Sequence, residues 1–314
     1  MSAPAEQAPA HQRRPRLILI GSILYLVLIF GVMLWRGISI EPEWVVLALL
    51  VIAIALGRGR TFVADWGPFL ILFFAYEAMR GFAAKTGFAP HDLSGMEHAV
   101  FGSVLPTVAL QHAFYNPNAI GVQDLAAMFF YFMHFPLPIV VGFIFWVRSR
   151  DHYRRFIGAL LLMALLAFVT YLFWPSAPPW WQYGPASGYS GPDTVHKILN
   201  ETVDKLWGNR YVVTPLYTSL NPNQFAAFPS LHAAFPMLAA VYAWSRYRWL
   251  SAILIAWSAA VVLSIVYLGE HYVVDALDGL LYVAVATAIV ELSTRWWAHR
   301  RPPAGSATPA RPSA

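Results

Sequence analysis

The sequence predicts an all-α fold, a polytopic membrane helix bundle of about eight transmembrane helices. Three observations carry this reading. Of the 314 residues, 58% are hydrophobic and 12% are charged, whereas about a quarter of the residues in a soluble domain are charged. The apolar residues fall in long runs. Arginines cluster between those runs in an alternating pattern that gives the bundle a direction across the bilayer.

The runs, in order, are 17–35, 44–57, 66–84, 124–147, 156–174, 229–245, 249–268 and 271–294. The first is longer than the apolar core of a signal peptide and reads as a retained span. The second and sixth are short for a bilayer that takes about 20 helical residues. The sixth also carries Pro236, tolerated in a membrane helix where neighbours satisfy the freed carbonyl. Two long loops, 85–123 and 175–228, contain amphipathic stretches around 96–112 and 194–207 that suit helices lying on the membrane surface. The expected organisation is a disordered N-terminus 1–16, a transmembrane hairpin 17–65, a membrane domain 66–298 and a disordered Pro/Ala/Ser/Arg-rich tail 299–314. No internal repeat is visible.

The net charge of +5 does not indicate a nucleic-acid partner, because the basic residues form no continuous face. With eight spans, the clusters Arg13/Arg14/Arg16, Arg58/Arg60, Arg148/Arg150/Arg154/Arg155, Arg246/Arg248 and Arg295/Arg300/Arg301 all fall on one side. The positive-inside rule makes that side the cytoplasm. Both termini are therefore expected in the cytoplasm, and the long loops outside the plasma membrane. The chain has no cysteine, which excludes disulfides and thiolate metal sites.

Two motifs meet at the expected outer face: Phe228-Pro229-Ser230-Leu231-His232, opening the sixth span, and Gly269-Glu270-His271-Tyr272-Val273-Val274-Asp275, opening the eighth. A spacing of four puts His271 and Asp275 on one helix face. A carboxylate there fixes the imidazole tautomer and leaves the other nitrogen free to attack. Pro229 and Ser230 suit a helix start, whose open N–H groups attract phosphate. His232 beside it is placed to protonate a leaving oxygen and deprotonate an acceptor. Spacing alone leaves other readings open: a structural His–Asp pair, an interfacial histidine, a His/His/Asp metal site, or a transporter's proton relay or lipid-binding scaffold.

At these residues the sequence resembles the type 2 phosphatidic acid phosphatase superfamily of membrane phosphatases and phosphotransferases, most closely the branch containing inositol phosphorylceramide synthases. The match rests on Pro229-Ser230-Leu231-His232 followed by Tyr267-Leu268-Gly269-Glu270-His271-Tyr272-Val273-Val274-Asp275. Weaker matches are Tyr131-Phe132-Met133-His134-Phe135-Pro136 and Pro175-Ser176-Ala177-Pro178-Pro179-Trp180. The resemblance covers about 66–294 and implies a six-helix catalytic core. It implies a phosphohistidine at His271, oriented by Asp275, with His232 acting on the leaving group and neither metal nor cofactor required.

The sequence also departs from the superfamily pattern. A Ser-Arg pair is expected shortly before the nucleophile, where Ser264 and Ile265 stand, and the first Lys…Arg-Pro motif has no counterpart. These cations normally hold phosphate oxygens, so the resemblance points to the synthase-like branch, which is similar in its His/His/Asp core to sphingomyelin synthases. Arg80, beside Glu77, is then the first candidate to bind substrate phosphate, followed by Arg210, Lys205 and Lys197; Ser230 belongs to the helix-start anion site. His134 and His98 are candidate polar wall residues, and the Pro/Trp stretch 174–181 a candidate headgroup entrance. The implied activity is transfer from a lipid-linked phosphate to an alcohol, with water as the alternative acceptor giving a phosphatase.

Overall fold

The computed structural model describes residues 24, 27, 28, 30–37, 42–83, 87–208 and 223–300, with the side chains of 42, 43, 74 and 76–83 excepted. The expected disordered N-terminus 1–16 and tail residues 301–314 lie outside the described residues, as does about half of the first run, of which 24, 27, 28 and 30–35 are helical.

The fold is all-α. Helices α1 (Pro42–Ala55) and α2 (Gly59–Ala83) form an antiparallel pair. Two short helices follow, α3 (Ser94–Phe101) and α4 (Pro106–Phe114), within the first expected amphipathic stretch. Then come α5 (Val122–Phe132), α6 (Pro136–Arg148) and α7 (Arg150–Phe173). The second loop holds a single turn, α8 (Pro179–Gln182), and α9 (Ile198–Leu206). The chain closes with α10 (Leu231–Trp244), α11 (Arg248–Tyr267) and α12 (Val273–Arg300).

Among the described residues, α7, α11 and α12 are each long and apolar enough to cross a membrane. The α5 and α6 helices pass the same test as a pair bent by 48°, the geometry of a broken span or a re-entrant loop. The run 124–147, expected as one span, is broken at Met133–Phe135 because Pro136 and Pro138 withhold the N–H groups a continuous helix needs. Helix α12 extends to Arg300, beyond the expected end at 294.

Helix α10 sits at the centre, packed on α6, α7, α11 and α12. Its face is rich in alanine: Ala233, Ala234, Ala239, Ala240 and Ala243 are all buried. Small residues let helix backbones approach closely, which matters where lipid supplies no hydrophobic drive between helices. The outer surface is apolar, with Ile253, Ile255 and Leu263 on α11 and Leu277, Leu281 and Leu292 on α12 exposed. Such a surface suits contact with lipid. This is an integral membrane protein.

Candidate functional site

The site forms where α11 ends and α10 and α12 begin. Helix α11 stops in a Schellman motif: Gly269 takes a left-handed φ of +80°, its N–H donates to the Val266 carbonyl at 3.1 Å, and the Glu270 N–H donates to the Ile265 carbonyl at 3.0 Å. A side chain at Gly269 would also meet the His196 carbonyl at 2.8 Å. This turn delivers His271 to the head of α12.

His271, Asp275 and His232 come together as a chain of three. His271 Nδ1 lies 3.3 Å from Asp275 Oδ2, and its Nε2 lies 3.1 Å from His232 Nδ1. His271 and Asp275 are buried, and His232 is partly exposed. Asp275 Oδ2 also accepts the Tyr272 N–H at 2.9 Å. An ionised Asp275 makes Nδ1 the protonated nitrogen of His271, so Nε2 carries the lone pair. His232 Nδ1 then donates to it. Among the described residues no group of three or more His, Asp or Glu is arranged to hold a metal ion.

Helices α10 and α12 meet through backbone. Ser230 N–H donates to the Asp275 carbonyl at 2.9 Å, and a Cβ at Gly279 would lie 2.4 Å from the Ser230 carbonyl oxygen. Two details correct the expected helix start. Helix α10 begins at Leu231, so Pro229 stands before its first turn, and Ser230 makes no side-chain cap. Its hydroxyl is buried and makes no hydrogen bond among the described residues.

His134 joins the site. The bend between α5 and α6 swings its ring to 3.9 Å from that of His232, and its Nδ1 bonds the Tyr131 carbonyl. The Tyr131 ring stacks on His232 at 4.7 Å. Of the expected cations, Arg80 lies on α2 with its side chain outside the described residues, and Arg210 is outside them altogether. Lys197 Nζ sits 3.7 Å above the Trp180 ring, and Lys205 donates to the Tyr115 hydroxyl at 3.2 Å. His98 Nδ1 bonds the Gly102 carbonyl at 2.7 Å, closing the end of its own helix. Ile265, where the superfamily pattern expects arginine, is fully buried with Ala233, Val261, Val266 and Ala276. Ser264 bonds back to the Ala260 carbonyl at 2.7 Å.

The 174–181 stretch is a structural seam. Ser176 forms parallel bridges with His91 on one side and Ala226 on the other, and its Oγ accepts the Phe228 N–H at 2.7 Å. The Trp174 ring stacks on His91 at 3.9 Å. Tyr171 donates to the Pro229 carbonyl at 2.7 Å.

Two acids next to the head of α12 escape sequence reasoning. Glu97 accepts the N–H groups of Val273 and Val274, and burial pushes its carboxyl above the ordinary range against the pull of those bonds. Glu270, beside His271, is likewise raised by burial, opposed by the nearby Lys197 charge. No period or spacing points to Glu97. Glu270 lay inside the quoted motif, but nothing there marked its carboxyl as shifted.

The PAP2 superfamily pattern matches residues 91–289. A phosphoinositol dihydroceramide synthase of Bacteroides thetaiotaomicron is 30% identical over 234 residues, 68% of this chain and 71% of that protein. The inositol phosphorylceramide synthase catalytic subunit of Schizosaccharomyces pombe is 30% identical over 60% of this chain and 43% of its own length. The inositol phosphorylceramide synthase of Candida albicans is 28% identical over 58% of this chain and 40% of its own. The chain thus spans less than half the length of the two yeast relatives. No solved structure matches. The family pattern covers more than half of the sequence: the chain belongs to the PAP2 superfamily of membrane enzymes and resembles its inositol phosphorylceramide synthase branch.

Proposed function

We propose that this enzyme transfers a phosphate-linked headgroup, of the phosphoinositol class, from a lipid phosphodiester to the hydroxyl of a ceramide-like lipid, through a covalent bond to His271. The observation that carries the mechanism is the line Asp275–His271–His232, with one imidazole nitrogen on the carboxylate and the other on the second histidine. His271 Nε2 attacks phosphorus, and the bond to the glycerol oxygen breaks. Asp275 stabilises the positive charge left on the imidazole. His232 delivers a proton to the departing oxygen, then accepts the proton of the incoming hydroxyl as it attacks the phosphohistidine and frees His271. His134 and Tyr131 pack the His232 ring for this exchange.

The substrate class is supported by the relatives' activities and by Ile265, which leaves the superfamily's arginine position apolar. Arg80, Arg210 and Lys197 are the candidate phosphate-holding cations. The site is proposed to face outward from the plasma membrane, with both termini inside. Supporting this, Arg246 and Arg248 join α10 to α11 at the end remote from the histidines, and Arg155 pairs with Glu291 late in α12.

The deciding experiment incubates purified protein with phosphatidylinositol, with and without ceramide, and identifies products by mass. Transfer product appearing only with ceramide supports the proposal. Free inositol phosphate formed at the same rate without ceramide would make the enzyme a hydrolase.

A further inference from the structure

The helix that bears Asp275 begins without a cap of its own. Val273 is its first residue, and Tyr272 stands where Ser, Thr, Asp or Asn would accept first-turn N–H groups. The Tyr272 side chain is instead buried among Leu93, Leu105, Val108 and Val195. Asp275 supplies one arm of a capping box by accepting the Tyr272 N–H. That oxygen, Oδ2, also faces His271, and Oδ1 makes no hydrogen bond among the described residues, so Asp275 leaves the Val273 and Val274 N–H groups to another acceptor.

Those two donors are met from across the molecule. Glu97, on the short loop helix α3, is fully buried and presents Oε1 to the Val273 N–H and Oε2 to the Val274 N–H, both at 3.0 Å. Its carboxylate also lies at the positive end of the α12 dipole. We propose that Glu97 is a positioning residue for the histidine chemistry: its two oxygens fix the first turn of α12 and so hold the Asp275 carboxylate against His271 Nδ1. The His271–Asp275 contact, at 3.3 Å, is near the outer limit of a hydrogen bond, and a shift of a few tenths of an ångström disconnects it. Two acceptors are needed. A glutamine has one, and its amide would set an N–H against an N–H.

This inference rests on the proposed role of His271, and one experiment separates the two. Glu97→Gln, Glu97→Ala and His271→Ala are made in the full chain, purified in detergent, and assayed with phosphatidylinositol and ceramide. Turnover is normalised to folded, monodisperse protein. Glu97→Gln is expected to fold and to lose about tenfold or more in kcat with KM for the donor within about twofold of wild type. Where it folds, Glu97→Ala loses more. A purely structural tie would lower the folded yield and leave kcat per folded molecule unchanged. Glu97→Gln turning over within about twofold of wild type, or losing only KM, overturns the positioning role alone. Wild-type turnover by His271→Ala overturns the nucleophile assignment, and the positioning role falls with it.

Discussion

His271 has both ring nitrogens engaged, and the two partners make different demands on it. In the proposed mechanism an ionised Asp275 fixes the proton on Nδ1, and His232 lies at Nε2, where phosphorus would bond. His271→Ala should therefore abolish transfer while lipid binding persists, as measured by product mass and donor binding. Asp275→Asn keeps the shape but offers an amide that also stabilises the wrong tautomer; we expect kcat to fall by about 10²-fold or more. Glu270 gives a test by pH. Its folded pKa lies above the ordinary 4.5 because burial penalises the charge. Its contribution to stability is full below the unfolded value and is lost as pH rises through the folded one. Glu270→Gln should thus raise the thermal midpoint at pH 8, with the gain shrinking on acidification and gone below about 4.5. The three residues of the proposed site were legible in sequence because a spacing of four and the order of the motifs are local facts. Glu97 was not, since it reaches main-chain donors 176 residues away.

At the scale of elements, the site depends on how closely two helix starts approach. Gly279 makes room for the Ser230 carbonyl, which is backbone and cannot swing aside. Gly279→Ala should push α10 and α12 apart, cost about 1–3 kcal/mol of stability and lower turnover in the same variant. A variant with unchanged melting and unchanged turnover would show that the contact relaxes freely. The helix runs themselves were readable from hydropathy, and the expected spans 229–245 and 249–268 fall within two residues of α10 and α11. The break between α5 and α6 was not, because Pro136 inside an apolar run is compatible with a tolerated proline as well as with a bend. Only the packed bundle brings His134 against His232.

For the whole molecule, the absence of cysteine makes orientation directly testable. Ala186, in the second long loop, and Ser245, between α10 and α11, are both exposed. In intact cells an impermeant maleimide should label Ala186→Cys and spare Ser245→Cys. The reverse pattern would invert the proposed topology. Composition and the rhythm of arginines made the membrane class plain, since no soluble core could bury so much apolar surface. They said nothing of how the two long loops fold over the helix starts, because those contacts run through turns and main-chain atoms without any period.

The seam around Ser176 carries a consequence for redesign. The Ala177 and His91 N–H groups pair with the His91 and Pro175 carbonyls, and the Ser176 N–H pairs with that of Phe225. These bonds do not read side-chain identity. A designer can vary the exposed residue 91 and the half-buried residue 226, so long as residue 91 keeps its N–H and the spacing stays fixed, whereas Ala177 is fully buried and leaves no room for a larger side chain. A single inserted residue would slip the register and misplace Pro229, and with it the head of α10. The seam is thus permissive at its exposed positions and intolerant of changes in length, so sequence can drift there while the frame that seats α10 stays unchanged.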